Sequence, residues 1–457
     1  MNNQIKSRSV ILTMILLLFI SNISYGQTAF PSIIKNDTDS LSLKQTIEQV
    51  ITGHPSIQLA QEAVNNANAK IGLAKTSYYP EADMTANFSN MGPVTKLSIP
   101  DMGTFQLFPE NNYSASVNYR QVVYDFGRTR QNIEFENESR EINVQTIEQV
   151  KQRLSLLTVN NFYTLVFLQA AIKIKDEQLE ALNTHLEHVE KMMATGSATE
   201  YQVLATKVRI STVESQRIDL FAAMNAQKAS LNSLLGNDQS KSPVVKTELT
   251  VDLTGIPTDS ILSFAFHNRD EVLINQKKIT MAQLRYGMVQ LQNKPLLSLI
   301  ASGGAKNGYV PELNKIRPNY IIGLGLKVPL FDGMKNKYNL SQAQSAVSSI
   351  SFESELTKRV ISNELYEAEA YMVAAGQKIS RFDLQLTQAL KAFSLAETSF
   401  NSGTITNLDL LDANTSVSES RLMLLKSRID YAASIFKLKA ALGERLYEES
   451  SLTKSGK

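Results

Sequence analysis

Hydrophobic positions along this chain change period in a regular order. From Leu43 to Tyr79 they keep a helical spacing, interrupted at Gly53-His54-Pro55. Pro80 ends that stretch, because proline has no backbone N–H to donate. Ala82, Met84, Ala86 and Phe88 then alternate with Asp83, Thr85, Asn87 and Ser89, a period of two that predicts a strand. Residues 90–111, with Gly92, Pro93, Pro100, Gly103 and Pro109, read as a long loop. Alternation returns with Tyr113, Ala115, Val117 and Tyr119 on one face and Ser114, Ser116, Asn118 and Arg120 on the other. The pattern predicts a hairpin over 80–124 with strands of about ten residues. Tyrosines near both ends of its apolar face suit an interfacial aromatic girdle.

Between Arg128 and about Met193 there is no Pro or Gly, which predicts a helix on the order of 100 Å long. Ile147, Val150, Leu154 and Leu157 follow 3-4-3 spacing, continued by Asn161, Thr164, Leu168 and Ala171. That is a partly polar seam for a neighbouring helix. Gly196 turns the chain, and Val203, Ile210, Val213, Leu220, Met224, Leu231 and Leu234 carry a similar seam back to Leu235-Gly236. The closing glycine has the position of a helix C-cap.

After a linker at 237–257 the scheme recurs. One helix is expected from about Thr258 to Lys294. Pro295 then falls where Pro80 fell (295−80 = 215), and Leu297, Leu299 and Ala301 open a second hairpin over 295–331. Gly303 to Asn319 reads as its loop. Tyr320, Ile322, Leu324, Leu326, Val328 and Leu330 form the apolar face of its second strand. LFDGMKNK (330–337) matches VYDFGRTR (123–130), so Asp125, Gly127, Asp332 and Gly333 join Pro80 and Pro295 as helix–strand junction residues. A second long helix runs to about Ser399, Gly403 turns the chain, and a last helix reaches Leu442-Gly443. The offsets 403−196 and 443−236 both equal 207, the signature of a duplicated half. The repeats are 43–236 and 258–443, with a lead-in at 27–42 and a polar tail at 444–457.

Composition adds an address and removes several chemistries. Lys6 and Arg8 precede an apolar run, Val10 to Ile20, followed by small residues near Gly26. This reads as a signal peptide over 1–26, too short to span a bilayer comfortably. Cleavage there removes two basic residues, and (46−2)−44 leaves a net charge of zero. That balance gives no reason to expect a nucleic-acid partner. No later stretch reads as a transmembrane helix, so a membrane would be met through strands. The chain has no Cys, which excludes a disulfide scaffold, a thiol nucleophile and an acylated N-terminal cysteine. No nucleophile triad, phosphate loop or zinc signature stands out, so neither an enzyme nor a cofactor is expected.

Four strands per chain cannot close, and an open sheet edge is costly in hydrocarbon. Bacterial barrels have even strand numbers from eight upward, so two chains would supply eight strands and three would supply twelve. Oligomerisation is therefore expected, with helices too long for a compact domain projecting from the barrel. Antiparallel pairs with partly polar seams suit a hollow tube better than a solid bundle.

The stretches Ala74 to Ser89, VVYDFGRTR, LFDGMKNK and above all GTITNLDLLDA (403–413) resemble the TolC-like outer membrane efflux proteins, over nearly all of the chain after residue 26. The resemblance implies an α+β membrane protein and a homotrimer. Its twelve-strand β-barrel, four strands per chain, sits in outer-membrane lipid and continues as a twelve-helix periplasmic α-barrel. It also implies a periplasmic adaptor and an inner-membrane transporter of the RND, MFS or ABC type as partners, with the duct itself passive. Gly196 and Gly403 become the helix-tip turns on which an adaptor would dock. Type I protein secretion uses the same fold and stays open from sequence. A periplasmic coiled-coil scaffold without a pore is a further reading, though it leaves the aromatic-ended strands unexplained.

Asp409 and Asp412 match the family's acidic rings at the periplasmic entrance. Three apart, they can share a helix face, and threefold symmetry would bring six carboxylates to one mouth, where each raises the pKa of the others. The alternative is that they simply occupy a first turn near a positive helix end. The chain departs from better-known members where they carry a latch arginine, here Ile405, and a latch aspartate, here Gln202. Glu200, Tyr201, Gln202, Phe400 and Ile405 are therefore the candidate gate contacts. His185 and His188 near Met192 and Met193 fit a solvated or groove-facing helix surface better than a metal site.

Overall fold

The computed structural model describes residues 40–100, 103–246 and 261–448. The expected signal peptide, most of the lead-in, the linker beyond Lys246 and the tail beyond Glu448 lie outside the described residues. The chain folds as α1 (Leu43–Gly53), α2 (Pro55–Thr76), β1 (Glu81–Asn90), β2 (Lys96–Ile99), β3 (Gly103–Gln106), β4 (Asn111–Tyr124), α3 (Arg128–Ala194) and α4 (Glu200–Leu235). It continues as α5 (Ile261–Asn268), α6 (Asp270–Leu291), β5 (Leu296–Lys306), β6 (Arg317–Lys327), α7 (Lys335–Asn401) and α8 (Asn407–Leu442).

The two halves match in size. α3 and α7 each have 67 residues, and α4 and α8 each have 36. At about 1.5 Å per residue the longer pair span ~100 Å. Leu235-Gly236 and Leu442-Gly443 close their helices with the glycine in the left-handed region, at φ 69° and 83°. The strand-to-helix junctions match too. Phe126 and Gly127 have φ 57° and 88°, and Gly333 and Met334 both have φ 67°. In each half two consecutive residues turn left-handed, with the glycine first in one and second in the other. Asp125 steadies the first junction, accepting from Gly127 N at 2.9 Å and from Thr129 N at 2.7 Å. Asp332 does the same for Asn336 N at 2.9 Å.

One sheet has the order β1-β4-β5-β6, antiparallel throughout. The helices repeat this order. Away from the sheet α4, α3, α8 and α7 lie side by side; nearer the sheet the order is α2, α3, α6, α7. The protein is thus four lanes wide. The α3 and α7 lanes are continuous, while the other two are broken between α2 and α4 and between α6 and α8. At the breaks lies a belt made by α1, α5, the 237–246 stretch and the end of the chain. Leu41 bridges to Val245 there, and α1 packs Ile47 into the largest core cluster with Val159, Phe162, Leu165 and Val166 of α3. This part of α3 includes a window apolar and long enough to cross a membrane, but most of it is buried beneath neighbouring helices.

Three expectations need correction. The helix expected over 258–294 is two helices, bent at Arg269 with φ −71° and ψ 127°. His54 has φ −75° and ψ 127°, and 269−54 = 215, so both halves bend at the same place. The first bend is visible in sequence through Pro55, whereas the second is enforced by contacts. Arg269 donates to Glu271 at 2.9 Å, to Glu364 at 2.9 Å and to Ala441 O at 3.3 Å. The loop expected over 90–111 contains the β2–β3 hairpin, in which Leu97 pairs with Phe105. The loop expected from Gly303 to Asn319 is shorter, because β5 and β6 stay paired out to Lys306 and Arg317.

Candidate functional site

The sheet has two chemically distinct faces. Register places Met84 opposite Val117, Ala82 opposite Tyr119, Tyr119 opposite Ala301 and Ala301 opposite Ile322, so one face is apolar across all four strands. It is also open to solvent in the protomer, with Tyr320 80 % and Leu324 70 % exposed. The other face carries a hydrogen-bonded ladder of small polar side chains. Asn118 Nδ2 donates to Asp83 Oδ2 at 2.9 Å, Ser302 Oγ donates to Asn118 Oδ1 at 3.0 Å, and Thr85 and Ser116 hydroxyls lie 3.2 Å apart. Gly304 sits on this face, where any Cβ would fall 2.1 Å from the carbonyl oxygen of Ala115.

At the far end of the long helices lie the two turns. Gly196 and Gly403 both have φ 75°, a conformation costly for any residue with a side chain. After each turn a capping box restarts the chain. Gln202 Oε1 accepts from Thr199 N at 3.0 Å, and Asp409 Oδ2 accepts from Thr406 N at 2.9 Å and from its hydroxyl at 2.6 Å. Since 409−202 = 207, the two acceptors hold equivalent positions. The Thr406 hydroxyl and amide keep the Asp409 carboxyl below its ordinary value of 3.8. Asp412 is bound as well, accepting from Arg209 Nη2 of α4 at 2.7 Å.

The candidate gate residues separate into two groups. Phe400 is buried with Val189, Val203 and Leu410, and Ile405 packs against that cluster. Glu200 and Tyr201 are exposed, and Gln202 contributes its cap and its backbone carbonyl. The carbonyl leads to a residue the sequence did not single out. Asn407, the first residue of α8 and 3 % exposed, donates from Nδ2 to Gln202 O at 3.1 Å and to Thr206 Oγ1 at 3.2 Å. Its Oδ1 lies 2.6 Å from His185 Nε2 of α3, so the imidazole carries its proton on Nε2. One side chain thereby ties α8 to both α3 and α4. Nothing in the local pattern marks Asn407, which resembles any polar residue in a first turn, and Arg209 looks like any surface arginine.

Arg128 is a third such residue. It donates to the backbone oxygens of Leu291, Gln292 and Lys294 at 2.8, 3.1 and 2.7 Å, capping α6 where Pro295 leads into β5. It locks the two hairpin bases together beside Asp125, Gly127, Asp332 and Gly333, while Pro80 leads α2 into β1.

These features fit a protein that meets lipid through its strands and carries long helices away from it. The profile of the outer membrane efflux protein family matches residues 46–237 and 262–444. A relative, the solvent efflux pump outer membrane protein SrpC of Pseudomonas putida, is 22% identical over 415 residues, covering 88% of this chain and 85% of its own. The outer membrane protein TolC of Escherichia coli (strain K12) is 19% identical over 414 residues, covering 88% and 82%. Among solved structures, CusC superposes with TM-score 0.77 at 19% identity, covering 90% of this chain and 96% of that one, and so shares the fold. The chain belongs to the outer membrane efflux protein family. Within it the chain is a TolC-like outer membrane factor.

Proposed function

We propose that this protein is the outer-membrane exit duct of a tripartite efflux system: a homotrimer that passively conducts small molecules received from an inner-membrane transporter through a periplasmic adaptor. The observation that carries this reading is the match between open edges. The sheet ends in β1 and β6, the helical layer ends in α2 and α4 on one side and α7 on the other, and both layers run in the same order. An edge strand in hydrocarbon needs a partner for every backbone group, and β6 of one copy can supply β1 of the next. The helical edges are apolar to suit. Leu59, Leu73, Leu204, Val208 and Ile218 are exposed on the α2/α4 lane. Val373, Leu384 and Leu395 are exposed on α7 at intervals of 11 residues (384−373 and 395−384), a spacing that keeps them on one line of the helix.

Three copies close twelve strands and twelve helical lanes, the number the resemblance implies, and the duplicated halves make six similar units of them. The apolar sheet face then meets lipid, and the ladder from Asp83 to Ser302 lines the lumen. The turns at Gly196 and Gly403 face the periplasm as adaptor-docking tips. Asp409 and Asp412 ring the entrance, Asp409 capped by Thr406 and Asp412 paired with Arg209 of α4. With Ile405 and Gln202 in place of the expected latch pair, the hold across halves falls to Arg209–Asp412, the Asn407 hub and the Phe400 cluster. The signal peptide delivers the chain to the outer membrane.

Two measurements test the reading. The purified protein in detergent should have the protein mass of three mature chains, each lighter than the 50.8 kDa of the full sequence by the cleaved signal peptide. In a planar bilayer it should form a small cation-selective conductance. Asp409→Asn with Asp412→Asn keeps the capping acceptor and removes both charges, and should abolish the selectivity. Stable conductance with unchanged selectivity would move the constriction elsewhere, and failure of an intact trimer to insert would sink the duct.

A further inference from the structure

His185 lines a recess of about 410 Å³ beside the tip turns, walled by α3, α7 and α8. Its ring meets Phe400 edge-on at 5.2 Å, and its Nε2 donates to Asn407 at 2.6 Å. Asn407 in turn holds Gln202 and Thr206 of α4. The contact therefore sits where three helices of the mouth meet, at the first residue of α8. We propose that the His185–Asn407 hydrogen bond is a proton-operated catch on the periplasmic mouth: the neutral imidazole holds the start of α8 against α3 and α4, and protonation releases it. This rests on the duct reading above.

The surroundings set the direction. Nε2 already carries a proton, so acid adds one at Nδ1, taken from periplasmic water, and makes an imidazolium inside a recess walled partly by Phe393, Phe400, Leu410 and Leu411. Facing groups are His188 on α3, Glu397 on α7, and the uncharged Asn407 and Asn414 on α8; beyond Asn407, α4 offers the uncharged Gln202 and Thr206. Burial dominates and His188 adds to it, outweighing the Asn407 bond and Glu397, so His185 titrates below its ordinary 6.5. A state that hydrates His185 keeps the higher value and binds the proton more tightly. The held mouth is thus favoured above pH 6.5 and loses ground as pH falls through the depressed value. Each unit of difference between the two pKa values shifts the equilibrium up to about tenfold per protomer.

Single-channel recording tests this with only the chamber facing the helix tips acidified. Between pH 7.5 and 5.5 the wild type should raise its mean open conductance by about threefold or more. His185→Gln retains an N–H donor without a titration, so it should stay low and flat. Asn407→Asp places a carboxylate against the ring, raises the pKa and should reverse the sign, making acid tighten the mouth. His188→Gln should keep the response and move it to higher pH. A flat wild type, or a response that persists in His185→Gln, overturns the catch and leaves the duct standing. If no channel forms at any pH, the duct reading fails, and amide exchange across residues 407–411 still decides the catch. Protection lost with acid in wild type but kept in His185→Gln supports it; protection independent of pH overturns it.

Discussion

Lys175 shows how single residues in this layer balance burial against polarity. The residue is 6 % exposed between α3 and α8, its ammonium donating to Gln178 Oε1 at 3.0 Å and Ser418 Oγ at 3.3 Å. Among the described residues no carboxylate lies within ion-pair distance, and burial pushes its pKa below 10.5. An unpaired buried charge costs more than its hydrogen bonds return. Lys175→Met should therefore leave the thermal midpoint unchanged or raise it. The unfolded chain binds the extra proton between the depressed value and 10.5, so wild-type stability rises with pH across that window, and the Met variant should flatten the rise. Asp409 runs the other way. Its carboxyl is held below 3.8 by Thr406, so the cap contributes fully above pH 3.8 and is lost only as pH falls through the lower value. Exchange protection of the first turn of α8 should be level from pH 8 to 5 in His185→Gln, where the neighbouring imidazole no longer titrates.

At the scale of elements, legibility followed the kind of signal involved. The long helices, the hairpins and the glycine turns were readable because their causes are local: missing Pro and Gly, a period of two, a residue free to adopt φ 75°. The bend at Arg269 was hidden because contacts of its guanidinium with the Glu364 carboxylate on α7 and the Ala441 carbonyl on α8, rather than a proline, hold it. The β2–β3 hairpin was hidden behind Pro93, Pro100 and Gly103, which mark loops whether or not a short ladder forms inside them. The site divided the same way. Gly196 and Gly403 and the first-turn position of Asp409 could be read along the chain, whereas Asn407, Arg209 and Arg128 act through partners 100 or more positions away. The turns allow a direct check. Gly403→Ala forces a Cβ into the left-handed region and should destabilise the tip by about 1–2 kcal/mol, seen as faster exchange around 400–410. Ser402→Ala, at an exposed right-handed position, should cost about half a kcal/mol or less.

The whole molecule is held at its belt by a polar cluster joining three distant parts of the chain. Arg445 clasps Asp270 at 2.7 Å through two nitrogens, Tyr447 donates to Glu148, and Gln152 donates to Glu444 O at 2.7 Å. Asp270 is 6 % exposed, so removing Arg445 leaves its buried charge without a cation and with the neutral Gln145 as donor. Arg445→Ala should destabilise the protomer by about 3 kcal/mol and lower the unfolding midpoint, an effect that Arg359→Ala, on an exposed pair, should not reproduce. The same belt fixes the upper ends of α4 and α8 while α3 and α7 pass through unbroken. Each 36-residue helix is then a lever about 54 Å long, anchored at Gly236 or Gly443 and joined to its neighbours at the tip by Asn407 and the Arg209–Asp412 pair. A tilt of about 5° at the anchor displaces the tip by ~5 Å, which is roughly the width of a side chain. The tip turns are thus geared to their mounting: stiffness at Arg445 and Asp270, far from Gly196 and Gly403, sets how finely the turns are placed.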